Sequence, residues 1–170
     1  MYSIGDIFPD FELPSCDADN NLGITKIPDD DGKWHVFYFY PKDFTFICPT
    51  EIKAMDRLVK EDCHVLGFSG DNEFCKLNWK ENNDLIKDIK HTLVADTGLR
   101  LSTELGIVDE ENGVCFRATF ICNPDNVIQH VSCNALDTGR NVSEVIRTLK
   151  ALKTGELTGC SWNPGDIFLG

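Results

Sequence analysis

A chain of 170 residues with 42% hydrophobic and 26% charged residues is long enough to bury one substantial core, so a single soluble domain is the expectation. A formal net charge of -12 opposes affinity for nucleic acid or anionic membranes, because both depend on clustered Lys and Arg. The start carries no basic stretch followed by an apolar run, and no segment approaches the roughly 20 apolar residues that span a bilayer; the expectation is a cytoplasmic protein with no membrane partner.

In that reducing compartment the eight cysteines are expected to be free thiols, most of them small buried hydrophobes. No Cys-x-x-Cys pair is present, and His35, His64, His91 and His130 lack ligand-like spacing, so neither a metal nor a cofactor is expected.

Along the chain, Asp29–Gly32 reads as a solvated turn, and the near-continuous apolar run Trp34–Tyr40 as a strand buried on both faces of a sheet. The period then changes. Ile52, Met55, Leu58 and Val59 share a helical face and Pro49 suits the first helical position, which makes Cys48 the approximate N-cap. Strands at Val65–Ser69 and around Leu93–Ala95 flank a polar helix from about Asn72 to Asn83, and a further helix ends near Gly106. Phe116–Cys122 and Val127–Cys133 read as antiparallel strands joined by the turn Asn123–Asn126; Val142, Val145, Ile146, Leu149 and Leu152 mark a last amphipathic helix. The order implies an α/β fold, a mixed central sheet flanked by helices, with an N-terminal extension before Trp34.

Cys48 stands where the free N–H groups and dipole of a helix N-terminus favour an anion. An ordinary thiol is only ~3% thiolate at pH 7, whereas one shifted to roughly 6 at such a position is ~90% ionised and a competent nucleophile. The alternative is one more packed cysteine, against which Pro49 and the helix start weigh. Cys63, Cys75, Cys115, Cys122 and Cys133 fall on predicted strands or helix faces and read as packing residues, while Cys16 reads as an exposed loop thiol.

The stretch Tyr40–Ile52, YPKDFTFICPTEI, resembles the active-site signature of peroxiredoxins, Pro-x-x-x-Thr-x-x-Cys, here Pro41, Thr45 and Cys48. The resemblance continues through Trp34, Ser69–Asp71 to Trp79, Phe116–Ile121, Gly139–Glu144, and Cys160–Trp162 with Pro164–Gly165, and is strongest to typical two-cysteine members of the alkyl hydroperoxide reductase type. It implies a thioredoxin-like peroxidase domain over 1–153 and a tail, 154–170, carrying the resolving cysteine.

It further implies that Cys48 attacks the peroxide, that Thr45 and Arg117 hold it, and that Pro41 shields the pocket. Each has a plainer alternative: Thr45 as a turn residue bonding its own backbone, Pro41 as the end of a ladder, Arg117 as a structural ion-pair partner. Glu51, in the first helical turn, opposes a thiolate unless neutralised, and the resemblance offers Arg140 as its partner; Arg140 on a solvated helix start is the alternative.

The family's resolving cysteine follows Gly-Glu-x, but here Gly155-Glu156-Leu157 is followed by Thr158, and Cys160 comes two residues later. Some alkyl hydroperoxide reductases carry a cysteine at that displaced position, so Cys160 is expected to resolve. The Gly-Gly-Leu-Gly stretch and Tyr-Phe tail of overoxidation-sensitive members are absent, which implies resistance. Asn141–Ser143 matches a glycosylation acceptor, a chance match in a cytoplasmic protein.

The resemblance implies hydroperoxide substrates, an external dithiol donor (thioredoxin, a flavoprotein reductase or an AhpD-like adaptor), and a homodimer that could close into a ring of five or six. Competing readings are an oligomeric holdase chaperone, a peroxide-sensing relay, and a thioredoxin-type oxidoreductase, the last disfavoured by the single cysteine at the helix start.

Overall fold

The computed structural model describes residues 1–170, which form two compact units, Met1–Arg140 and Asn141–Gly170. In the first, strands β1 (Phe11–Cys16) and β2 (Leu22–Ile27) precede β3 (Trp34–Phe39), helix α1 (Cys48–Met55) and a 3₁₀ turn over Asp56–Glu61. Then come β4 (Cys63–Ser69), α2 (Glu73–Asn82), β5 (Thr92–Ala95), α3 (Arg100–Leu105), the small ribbon β6 (Val108–Asp109) and β7 (Val114–Cys115), β8 (Arg117–Cys122) and β9 (Ile128–Asn134). The second unit holds α4 (Val142–Thr154).

Seven strands form one mixed sheet in the order β2-β1-β5-β4-β3-β8-β9, so the expected mixed sheet with helices is what forms. β3 pairs parallel with β4 and antiparallel with β8. It is buried on both faces, as its unbroken apolar run requires. Its pleat sends Phe37 and Phe39 to one side, where they join Phe8, Phe68 and Phe120 with ring centroids as close as 4.3 Å (Phe8–Phe37) and 4.6 Å (Phe39–Phe68). Tyr38 and Tyr40 belong to the alternate set, and Tyr40 meets Trp79 of α2 at 6.1 Å.

The region before Trp34 is not a featureless extension. β1 and β2 form an antiparallel hairpin, and β1 joins the sheet edge by pairing Ser15 with Val94 and Cys16 with Leu93 of β5. Cys16 is therefore fully buried, which corrects its reading as an exposed loop thiol. Conversely, Cys133, on the outermost strand β9, is exposed. In α2, three residues of a helix read as polar, Lys76, Trp79 and Lys80, are buried.

In the second unit, the Asn141 side chain accepts from the Glu144 N–H (3.2 Å), capping α4, and Gly155 ends it with a left-handed φ of 66° that glycine adopts at no steric cost. The tail after Gly155 forms turns and closes on itself through Leu169 N–H to the Leu157 carbonyl, 2.9 Å, with Trp162 stacked on Phe168. No helix of the chain is long and apolar enough to cross a membrane.

Candidate active site

β3 and β8 run antiparallel, with Tyr38 opposite Thr119, so the start of β8 lies beside the end of β3. The loop Tyr40–Ile47 leaves that end and turns into α1, whose N-cap is Ile47; Cys48 is the first helical residue, one position inside the expected cap, and Pro49 follows. Two elements distant in sequence thereby meet: the N-terminus of α1 and the first residue of β8, Arg117.

The Arg117 guanidinium donates from Nη1 to Cys48 Sγ at 3.3 Å and to Glu51 Oε1 at 2.5 Å, and from Nε to the Leu136 carbonyl at 2.6 Å. Cys48, Glu51 and Arg117 are all buried. Burial opposes the charge on Arg117, but the Cys48 sulfur and the Glu51 carboxylate outweigh it and hold its pKa above the ordinary arginine value. A fixed cation thus lies against the sulfur at the positive end of a helix, where a donor stands ready for negative charge.

Glu51, a carboxylate in the same first turn of α1, is paired with two guanidinium groups. Besides Arg117, it accepts from Arg140 through both the backbone N–H (3.0 Å) and Nε. Arg140 is anchored in turn to the carbonyls of Ala118 (3.0 Å) and Phe39 and to Thr119 Oγ1 (3.2 Å). The structure therefore unites Cys48, Glu51, Arg117 and Arg140 in one buried network, and the solvated alternative for Arg140 does not hold.

Thr45 and Pro41 lie in the half-buried loop ahead of α1. The Thr45 hydroxyl donates to the Lys42 carbonyl at 3.0 Å, the local bond expected of a turn threonine. Its lone pairs remain free to accept a further hydrogen bond.

Below this loop sits a polar cluster that sequence reasoning missed. The Lys76 ammonium lies 3.3 Å from Asp43 and donates to Ser69 Oγ (2.6 Å) and Tyr40 OH (3.2 Å), while Tyr40 OH donates to Asp43 Oδ1 (2.7 Å). The Asp43 N–H in turn donates to Asp71 (2.7 Å). The cluster pins the Pro41–Ile47 loop to β4 and α2. Its one local signal was a lysine on a helix face that also carries Trp79.

The other cysteines separate by environment. Burial pushes the Cys115 and Cys122 thiols up to about 12; burial, with Asp43 and Asp71 nearby, takes Cys75 to about 11. Such thiols are almost wholly protonated at neutral pH and poor nucleophiles. Burial raises Cys16 and Cys133 as well. Cys160 is exposed in the tail.

Residues 4–131 match the AhpC/TSA family. The chain is 40% identical to alkyl hydroperoxide reductase C of Mycolicibacterium smegmatis, covering 98% of this chain and 92% of that protein. It is 35% identical to peroxiredoxin-1 of Gallus gallus, covering 96% and 87%. Among solved structures, the reduced 2-Cys peroxiredoxin of Plasmodium vivax superposes with a TM-score of 0.91 at 29% identity, over 99% of this chain and 93% of that one. The thioredoxin-like fold expected from sequence is the fold of these neighbours. A family match over three quarters of the chain, with relatives above 30% identity along almost its full length, places it: this chain belongs to the AhpC/TSA family of peroxiredoxins.

Proposed function

We propose that this thiol-dependent peroxidase reduces hydrogen peroxide and organic hydroperoxides through Cys48, with Cys160 as the resolving thiol. The observation that carries the reading is the 3.3 Å contact between Arg117 and Cys48 Sγ at the start of α1.

The Cys48 thiolate attacks the terminal oxygen of ROOH. The S–O bond forms as the O–O bond breaks; the terminal oxygen keeps its hydrogen and becomes the sulfenic acid, and the departing alkoxide takes a proton from water. Negative charge moves from sulfur to the leaving oxygen, and Arg117, already charged and fixed by Glu51 and Leu136, stabilises it without rearrangement. Thr45 accepts from the peroxide O–H, and Pro41 shields one side of the pocket. The Cys160 thiol then attacks the sulfenic sulfur, forming a disulfide and releasing water. An external dithiol, such as thioredoxin, a flavoprotein reductase or an AhpD-like adaptor, returns both cysteines to thiols. Resolution across a homodimer, in rings of five or six dimers, and a cytoplasmic location complete the reading; the family's resolving chemistry between subunits supports the first.

The test is one equivalent of hydrogen peroxide added to the fully reduced protein, followed by non-reducing gels and intact mass for wild type, Cys48→Ser and Cys160→Ser. An intersubunit disulfide in wild type, absent from both variants, is expected. A disulfide that persists in Cys160→Ser transfers resolution to another thiol, and no reaction in wild type overturns the assignment of Cys48.

A further inference from the structure

His35 and His64, unrelated by sequence spacing, are brought together by the sheet. Each is the second residue of its strand, and the parallel register pairs them directly, with ring centroids 5.1 Å apart. The Asp29–Gly32 turn, read from sequence as merely solvated, folds over this pair. His35 Nε2 lies 3.0 Å from Asp29 Oδ2, His64 Nε2 lies 3.6 Å from the same oxygen, and His64 Nε2 also contacts Asp31 Oδ2.

One ligand atom from each of the four residues lies within 4.8 Å of the others. A tetrahedral shell with metal–ligand bonds of about 2.0–2.1 Å has ligand–ligand edges of about 3.3–3.4 Å, and the two Asp29 separations bracket that value. A second observation points to the same place. His35 is buried at 4% exposure, and its Nδ1 has no protein partner; Asn126 Oδ1 is likewise buried and unpartnered. Both residues line a cavity of about 260 Å³ that Asp29 also borders. That cavity can hold a water accepting from Nδ1–H, the outer contact that fixes a ligating histidine's tautomer and leaves its Nε2 lone pair for an ion.

We propose that Asp29, Asp31, His35 and His64 bind a divalent transition ion of the zinc class. Two imidazoles and two carboxylates suit zinc, and four protein ligands describe a closed, structural site. Its place agrees. His35 lies near the start of β3, whereas Cys48 lies beyond the strand's other end, and the strand's six residues span roughly 16–20 Å. The ion would clip the Pro28–Lys33 connection to the starts of β3 and β4 and take no part in peroxide reduction.

Chelator-stripped, reduced full-length protein is titrated with Zn²⁺ by calorimetry and with Co²⁺ by absorption, because eight cysteines are competing ligands. Expected are one Zn²⁺ per chain, visible cobalt bands of tetrahedral form without a thiolate charge-transfer band, and a zinc-dependent rise in melting temperature. His64→Gln and Asp31→Asn, both at partly exposed positions, should each weaken binding by ~100-fold or more, since even outer-contact losses cost 10–100-fold. No saturable binding at one equivalent, a thiolate band, or unchanged affinity in both variants overturns the site. Peroxide consumption is measured alongside and should not change with zinc, so failure here leaves the Cys48 chemistry untouched.

Discussion

Arg117 holds three acceptors at once, Cys48 Sγ, Glu51 Oε1 and the Leu136 carbonyl, and its geometry explains why lysine would not substitute. A guanidinium offers donors in a rigid fork; an ammonium is a point charge on a flexible stem. Arg117→Lys and Arg117→Gln should lower the second-order rate constant for hydrogen peroxide by about 10²–10³-fold, the loss typical of removing one fixed donor from developing negative charge. Stopped-flow measurement of Cys48 oxidation checks this, and a loss below about tenfold in Arg117→Gln would return the residue to a structural role. The residues gathered at the head of α1 were legible because their signals are local: a cysteine followed by Pro49, a charge inside an apolar strand. The support beneath them was not. Asp43, Ser69 and Lys76 come from a loop, a strand end and a helix, and only the parallel pairing of β3 with β4 brings them together.

At the scale of elements, that same support predicts an energetic weak point. Lys76 and Asp43 have fully buried side chains, and removing one partner of a buried ion pair strands the other charge away from water. Lys76→Met should destabilise the fold by about 3–5 kcal/mol in urea unfolding, whereas a double variant replacing both charges with apolar groups should recover much of the loss. Equal destabilisation in the single and double variants would sink this account. The tail supports a second expectation. Between Gly155 and Gly170 it contains turns and no helix, so the exposed Cys160 reacts without a helix having to unfold around it. With peroxide in excess during turnover, intact mass should show Cys48 passing to disulfide with little gain of two oxygens; rapid sulfinic acid formation would contradict it. The hairpin of β1 and β2 shows what element-level reading misses. β2 is largely exposed and β1 carries Pro14, so neither shows a buried run; β1 owes its strand character to long-range pairing with β5, and β2 to its pairing with β1.

Across the whole molecule, a buried relay ties the sheet to its helical layer and sets the acid limit of stability. Tyr38 OH lies 2.5 Å from His91 Nε2, and His91 Nδ1 lies 2.7 Å from Asp56. One proton per contact is satisfied if His91 is neutral, accepting from Tyr38 and donating to Asp56. Burial lowers the His91 pKa below 6.5 against the opposing pull of Asp56. Burial works against the Asp56 carboxylate, but its bonds with His91 and the Lys90 N–H prevail and bring its pKa below 3.8. Both groups therefore bind fewer protons folded than unfolded, so stability is full above their unfolded values and declines as pH falls. The decline begins near pH 6.5 with His91 and deepens below about 4 with Asp56. The seven strands meet this relay through β3, an interior strand bearing Tyr38, so its protonation loosens the sheet's interior and not its edges. Urea midpoints from pH 8 to pH 4 should fall monotonically in wild type. His91→Gln, which cannot titrate, should be less stable at pH 8 yet lose less between pH 7 and pH 5. Parallel slopes for the two proteins over that interval would show that His91 does not couple folding to pH.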